Sequence, residues 1–284
     1  MDKVDQFESL FKSAAKEPFQ RQDVRVTSAL VVADGDEEAV KAYADQIRGF
    51  LSVLGANVRW TDVPSSAFSN IQELMEILER EDPDLICTHR HVGSPNQRWA
   101  WTLGEVLDVL TQATDRAVMV LPHPDSEDAE KLPDRDTGVV MVMTDHLTGD
   151  GRLVSHALRY TTPKGRLVLC HVEDDTVLAR YTDAIAKIPE MDTESVTELL
   201  RERLLKDPAD YIESCQEALA EAGVPVTIEA DVGFGHRLTT WKRLVDAHEA
   251  SLLVMNTKDE DQDAMHGLAH PIAIEMRQVP LLML

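Results

Sequence analysis

The two halves of this sequence repeat one another, and this repeat constrains the fold more than any other feature. The segment "GEVLDVLTQATDRAVMVL" from Gly104 aligns without a gap on "GLAHPIAIEMRQVPLLML" from Gly267. "DLICTH" matches "SLLVMN", and "GANVRW" from Gly55 matches "GVPVTI" from Gly223 at the same offsets. A repeat of this length indicates a duplicated domain.

Each half alternates short apolar runs with segments of helical periodicity. "SALVVADG", "NVRWTDV", "DLICTH" and "AVMVL" are predicted strands of the first half, and "VVMVM", "RLVLCHV", "PVTIEADV", "SLLVM" and "LLML" of the second. This alternation predicts an α/β fold with two tandem, open, parallel sheets and helices on both faces. The order of elements places "SALVV" as the second strand of its half, so the first domain is predicted to lack one strand.

The predicted boundaries follow composition. Residues 122–136, rich in proline and acid, lack periodicity and read as a linker. We therefore expect one domain at 1–122, a linker at 123–137 and a second domain at 138–284. Residues 4–16 are predicted to be helical. A helical insertion is expected at about 176–206, with two apolar faces formed by Val177, Leu178, Tyr181, Ile185 and Ile188, and by Val196, Leu199, Leu200 and Leu204.

Charge and composition narrow the functional classes. With 51 Asp and Glu against 28 Lys and Arg, the formal net charge is −23. Such a field repels nucleic acid and anionic lipid, so neither is an expected partner. No apolar run reaches the ~18 residues of a membrane helix, and the first residues do not resemble a signal peptide. We expect a cytoplasmic protein whose three cysteines, Cys87, Cys170 and Cys215, are buried and reduced.

The order and position of several segments in the second half are similar to those in a known protein family. "VVMVMTDHLTGDGRLVSHALRY", "LVLCHV" and "LLVMNT...HGLAHPIAIEM...VPLLML" are similar to a universal stress protein domain, and the duplication is similar to a tandem member. The resemblance implies a Rossmann-like fold of the adenine nucleotide alpha hydrolase type. It also implies pairing of final strands, here "AVMVL" with "LLML", as an internal pseudo-dimer. A homo-oligomer stays open.

The resemblance also implies a nucleotide-like pocket in the second half. In nucleotide-binding members an Asp follows the first strand, a backbone contact follows the second, and a glycine-rich loop follows the fourth. Asp145 and Val172 match the first two positions, and Asn256 and Gly267 match the ends of the loop, with an interval two residues shorter than in the family. The predicted ligand-binding residues are Asp145, His146, Val172, Asn256, Thr257 and Gly267.

The loop itself argues against ATP. Glycines let the backbone approach a phosphate and turn N–H groups toward it, whereas this loop reads "NTKDEDQDAMHG". Asp259, Glu260, Asp261 and Asp263 would stand beside a triphosphate and repel it. We therefore predict no cofactor. ATP binding in the second half, with slow hydrolysis, remains the alternative because Asp145 is present and a helix N-terminus favours anions.

The first half is predicted to be weaker still as an ATP site. Asp34 matches the Asp of the family only superficially if "SALVV" is the second strand, and Gly93 and Gly104 do not have the loop spacing. In its loop, Arg90 and Arg98 would favour an anion. Trp99 and Trp101 could stack on a ring or a partner, or pack the loop onto the domain.

Histidines suggest a metal, but no tight ligand pattern is present, so no metal is predicted. His146, His171, His236, His266 and His270 lie near carboxyl ends of second-half strands, and the weak candidates are His266 and His270. His89 and His91 are predicted to lie on an exposed loop.

Catalytic signatures are missing from the sequence, since it has neither a GxSxG elbow nor a P-loop. Together with the resemblance, which implies a role in a stress response, this absence predicts a binding or regulatory protein without an enzymatic turnover that can be named. It would act by binding a small ligand or a protein partner. Two alternatives stay open. One is the ATP-binding protein described above, and the other is a structural partner of a transporter or sensor.

Overall fold

The computed structural model describes residues 18–94, 102–144, 147–188, 192–257 and 269–284. The earlier ranges contain β1 Ser28–Ala33, α1 Glu37–Phe50, β2 Arg59–Pro64, α2 Ile71–Glu81, β3 Leu85–His89, α3 Glu105–Ala113, β4 Ala117–Leu121 and the short α4 Glu127–Glu130. The later ones contain β5 Val139–Thr144, α5 Gly151–Tyr160, β6 Arg166–Asp174, α6 Asp175–Ile185, α7 Thr193–Glu221, β7 Thr227–Gly235, α8 Arg237–His248, β8 Leu252–Met255, α9 Ala269–Glu275 and β9 Leu281–Met283. The alternating α/β pattern predicted from the sequence is confirmed. The helix predicted at 4–16 lies outside the described residues.

The strands form one nine-stranded sheet in the order β2-β1-β3-β4-β9-β8-β5-β6-β7. All neighbouring strands are parallel except β4 and β9, which are antiparallel, with Met119 opposite Leu282. The predicted pairing of "AVMVL" with "LLML" is confirmed. Because this pairing is antiparallel, the strands before Pro122 and those after Gly138 point their carboxyl ends toward opposite edges of the sheet.

The placement of Ser28–Ala33 as a second strand was wrong. β1 lies between β2 and β3, just as β5 lies between β6 and β8, so β1 holds the place of a first strand. Among the described residues, the earlier part has four strands, without a counterpart of the outermost strand β7. The similarity of "GANVRW" to "GVPVTI" has a local cause. Each segment leads into an edge strand of the sheet, β2 or β7, and begins with a glycine of positive φ, 86° at Gly55 and 63° at Gly223.

Helices cover both faces of the sheet because strand side chains alternate between them. Val31 of β1 belongs to the buried cluster that includes residues of α1, α5 and α7 on one face, whereas Leu30 and Val32 belong to the cluster that includes residues of α2, α3, α8 and α9 on the other. Cys87, Cys170 and Cys215 are all buried and free, as predicted. None of the described helices combines the length and the apolar character that crossing a membrane requires.

The segment predicted as a linker is packed against the fold. Ala129 and Leu132 are fully buried in the cluster that contains α1, and the Tyr43 hydroxyl donates to the Pro122 carbonyl oxygen at 2.6 Å. The domain division at 1–122, 123–137 and 138–284 stays a prediction.

The predicted insertion forms two helices, α6 and the first half of α7. The second helix does not end near Lys206 but continues through Pro208 to Glu221. Two ion pairs, Arg203–Asp207 and Lys206–Asp210, join residues four apart around this proline. On the predicted apolar faces only Leu178 is buried, and Tyr181, Ile188 and Leu199 are 52%, 48% and 52% exposed. The apolar stripe therefore has large side chains in solvent.

Candidate functional site

The strand order identifies where a ligand site is expected in each part of the sheet. In open α/β sheets ligands bind beyond the carboxyl ends of strands where the order of connection reverses. That point lies between β1 and β3 in the earlier part and between β5 and β8 in the later part. Asp34 follows β1 and His89 ends β3, whereas Asp145 follows β5 and Asn256 follows β8.

Asp34 and His89 are joined in the first of these places. The main-chain N–H of Asp34 donates to Nε2 of His89 at 3.1 Å, and Nδ1 of His89 lies 3.0 Å from the carbonyl oxygen of Arg90. The imidazole is therefore assigned as the neutral tautomer that carries its hydrogen on Nδ1. Oδ1 of Asp34 accepts the N–H of Gly93 at 2.8 Å, which leaves Oδ2 at 3.8 Å from Nε2 of His89.

The prediction that His89 lies on an exposed loop was wrong. His89 ends the buried strand β3, and its side chain is 0% exposed. Burial, with a smaller contribution from the neighbouring His123, lowers its pKa to about 4. The contact with the Arg90 carbonyl and the charges of Asp34 and Asp125 act in the opposite direction. His89 is therefore neutral at pH 7, and its lone pair on Nε2 faces Asp34.

His123 completes this cluster from the segment after β4. Its ring centroid is 4.7 Å from that of His89, and its Nδ1 lies 3.2 Å from the main-chain N of Asp125. One ligand atom from each of Asp34, His89 and His123 lies within 4.8 Å of the other two. Sequence reasoning missed this cluster. The signal was the position of all three residues at or just beyond the carboxyl ends of strands β1, β3 and β4, which the wrong placement of β1 concealed.

Arg90 does not present its charge to an anion. Its side chain is buried, and its Nε and Nη2 donate to the carbonyl oxygen of Ala273 at 3.0 and 2.7 Å. Nη2 also donates to the carbonyl oxygen of Met276 at 2.9 Å. These carbonyls belong to the C-terminal end of α9, where a cation is favourable. The expected anion contact of Arg90 is therefore wrong, because the guanidinium caps a helix from the other part of the sheet.

In the later part, the first residues of the acidic loop are held by the protein itself. Nδ2 of Asn256 donates to Oδ2 of Asp150 at 2.6 Å, and Oδ1 of Asp150 caps α5 by accepting the N–H of Leu153 at 2.8 Å. The hydroxyl of Thr257 donates to the Leu284 carbonyl oxygen at 2.7 Å. A carboxylate therefore stands at the N-terminus of α5 beside the start of the loop, where a phosphate would otherwise be favoured.

The other predicted residues of this pocket are only partly described. Val172 is buried and lies within β6, opposite Gly233 of β7, so the strand continues past the expected backbone contact. Its neighbour His171 places Nε2 2.9 Å from Oε1 of Glu173. The remaining pocket and loop predictions lie outside the described residues, namely Asp145, His146, Gly267, His266, Arg98, Trp99 and Trp101.

His270 and His236 are apart from the three-residue cluster. His270 lies on α9 close to Asp108 of α3. Burial raises the pKa of Asp108, and the charges of His270 and His91 offset part of this rise. His236 is exposed at the start of α8. The prediction that no metal is bound, with His266 and His270 as weak candidates, is not tested by the structure, because His266 lies outside the described residues.

Two open clefts, of about 710 and 850 Å³, contain none of the predicted pocket residues. The first includes Thr27 and Val226, which precede β1 and β7, and the second includes Gly138 and Ser251, which precede β5 and β8. Both clefts therefore lie where strands begin.

Comparisons with known proteins identify the fold that this site belongs to. No protein-family model and no curated protein matches the sequence. Among solved structures, a universal stress protein from Archaeoglobus fulgidus DSM 4304 is similar over 89% of this chain and 95% of its own, with 10% identity and a TM-score of 0.50. The chain therefore has the fold of a universal stress protein.

Two further structures are similar. A functionally unknown protein from Pseudomonas aeruginosa PAO1 shares 15% identity, with a TM-score of 0.48 over 91% of this chain and 92% of its own. A protein from the universal stress protein family of Burkholderia pseudomallei shares 18% identity, with a TM-score of 0.36 over 52% of this chain and 96% of its own.

Proposed function

We propose that this chain is a tandem universal-stress-protein-like binding and regulatory protein of the cytoplasm, which acts in a stress response without catalytic turnover. The observation that carries the proposal is the antiparallel pairing of β4 with β9. This pairing joins a four-stranded and a five-stranded parallel set, each with its own reversal of strand order, into one sheet. A tandem chain that forms its dimer internally has this arrangement.

Binding beyond the carboxyl ends of β5 and β8 is proposed to control contacts with other proteins. A ligand or partner segment that prefers one arrangement of the loops beyond β5 and β8 shifts the protein toward that arrangement. Loops carry such function because a rigid sheet positions them. Here β8 is fully buried and ends at Met255, directly before the loop that starts with Asn256 and Thr257.

The ligand is proposed not to be a nucleoside triphosphate. Asp150 lies at the start of α5 and holds Asn256 through its carboxylate. At a few ångströms, like charges in a partly buried site repel by several kcal/mol at an effective dielectric constant of about 20. A triphosphate at this helix would meet Asp150, and the sequence that follows Thr257 contains further acids. The alternative, ATP binding with slow hydrolysis, needs a cation to neutralise them.

The nucleotide content of the freshly purified protein tests this choice. The protein is denatured, the supernatant is run on an anion-exchange column, and the melting temperature is measured with and without MgATP. We expect no released nucleotide and no shift. Adenine nucleotide near one per chain, lost in Asp145→Ala but retained in the matched variant Asp136→Ala, would replace the proposal with the ATP-binding alternative.

A second function, as a structural partner of a transporter or sensor, is favoured by the exposed apolar side chains of α6 and α7. Tyr181 and Leu199 stand half in solvent on these adjacent helices, and such patches often mark interaction sites. In a pull-down from the source cells, Tyr181→Ser and Leu199→Ser should each lose a partner that the exposed control Glu198→Ser retains. Equal capture by all three variants contradicts this function.

A further inference from the structure

The three-residue cluster at the β1–β3 reversal has the composition of a transition-metal site. Two imidazoles and one carboxylate are ligands that suit divalent ions such as Zn²⁺. We propose that Asp34, His89 and His123 bind one divalent transition-metal ion of the zinc class. The inference does not rest on the proposed function, because the cluster lies in the earlier part of the sheet and the acidic loop lies in the later part.

His89 has the surroundings of a metal-binding histidine. Metal-ligating histidines commonly donate their second ring N–H to a carbonyl or carboxylate, which fixes the tautomer. Nδ1 of His89 makes this contact with the carbonyl oxygen of Arg90, so Nε2 is the atom that faces the cluster.

The Asp34 carboxylate is arranged in the same manner. One oxygen, Oδ1, accepts the N–H of Gly93, and the other, Oδ2, lies 3.8 Å from Nε2 of His89. Ligating carboxylates are themselves hydrogen-bonded. Because Oδ1 makes this hydrogen bond, Oδ2 is the oxygen proposed to bind the ion. The side chain is 21% exposed, so an ion can reach it from solvent.

The cluster must contract to hold the ion. With metal–ligand distances of about 2.0–2.1 Å, tetrahedral ligands lie about 3.4 Å apart, whereas the three atoms here lie within 4.8 Å of one another. The difference, 4.8 − 3.4, is about 1.4 Å at most. Asp34 and His123 both lie beyond strand ends, so they can close on His89, which is held in β3. The ion would then replace the N–H of Asp34 as the partner of Nε2.

Metal binding would have a structural consequence. Asp34 follows β1, His89 ends β3 and His123 follows β4, so one ion would link the loops of three strands. It would also hold the start of the segment that leads to β5. A site of this kind binds the folded chain only, so metal should raise the melting temperature.

The test is titration of the full chain, freed of metal by chelator, with Zn²⁺ by calorimetry and with Co²⁺ by visible absorption. We expect one ion per chain, ligand-field bands with Co²⁺, and a higher melting temperature. His123→Asn and Asp34→Asn should each weaken binding about tenfold or more. These positions lie outside the strands, so the variants are expected to fold, which the unfolding curve checks. His89→Asn gives a third test if it folds.

The matched controls are His236→Asn and His270→Asn, which remove histidines outside the cluster. Both should bind as the wild type does. The proposal is overturned if the wild-type chain binds no ion, or if binding is unchanged in His123→Asn and Asp34→Asn. Loss of binding only in His270→Asn would also overturn it, because the ion would then lie at the acidic loop.

Discussion

The guanidinium of Arg90 donates two hydrogen bonds to the carbonyl oxygen of Ala273, although the two residues are 183 positions apart in the chain. Arg90 follows β3, and Ala273 lies in α9. The contact therefore links the strands of the earlier part to a helix of the later part. It adds to the connection made by the pairing of β4 with β9. Burial lowers the pKa of Arg90 to about 10, so the side chain remains charged at neutral pH.

Replacing Arg90 should destabilise the whole chain. In Arg90→Leu the carbonyl oxygens of Ala273 and Met276 lose a buried donor, so we expect the free energy of unfolding to fall by about 2–4 kcal/mol. Urea unfolding followed by circular dichroism measures it. The control is Arg116→Leu, which removes an exposed ion pair with Asp82 and should cost at most about 1 kcal/mol. Equal losses in both variants would mean that the buried Arg90 contact contributes no more than an exposed ion pair.

His89 should make stability depend on pH in a defined direction. Its pKa is about 4 in the folded protein and 6.5 without the fold, so between these values the unfolded chain binds a proton that the folded chain does not. Stability from this group is therefore full above pH 6.5 and is lost as the pH falls toward about 4.

The measurement is the free energy of unfolding of wild type and His89→Asn from pH 7.5 to 4. The difference between the two should decrease with falling pH, by up to about 3 kcal/mol. His156, whose pKa burial also lowers to about 4, is present in both proteins and cancels. A difference that stays constant over this range would show that His89 titrates normally in the folded state.

Leu282 should contribute to the stability of both sets of strands, because β9 pairs with β4 on one side and with β8 on the other. It lies opposite Met119 of β4 and Val254 of β8, and its side chain is fully buried. Leu282→Ala should reduce the free energy of unfolding by about 2–5 kcal/mol while unfolding remains a single transition. Leu199→Ala, at a position 52% exposed, should change it by no more than about 0.5 kcal/mol. Two separate transitions in the wild type would contradict the view that β9 couples the two sets of strands.

Gly104 is expected to resist any side chain. It has φ 95° and ψ 151°, a region essentially reserved for glycine, and an added Cβ would lie 2.8 Å from the Cα of His91. Gly223 also has positive φ, but an added Cβ there meets nothing within 4 Å. Gly223→Ala should therefore cost about 1 kcal/mol, and Gly104→Ala clearly more. Calorimetric melting of both variants compares them, and equal losses would show that the loop beyond β3 moves to make room.

Most secondary structure was predictable because it depends on local patterns. Helix α1, for example, begins after Asp36, whose side chain accepts the N–H of Ala39 at 2.9 Å, and its apolar residues recur on one face. The end of α7 was not predictable in this way, because Pro208 normally argues against a continuing helix. There, buried residues such as Tyr211 and Ile212 hold the helix against the sheet.

The sequence by itself determined the alternation of strands and helices, the pairing of the final strands through the resemblance, and the acidic character of the segment after β8. Only the tertiary structure decided that β1 lies between β2 and β3. It also decided that Asp34, His89 and His123 meet and that Arg90 caps α9. The physical reason is that periodicity records which side of an element is buried, whereas strand order and contacts between distant residues depend on packing across the whole sheet.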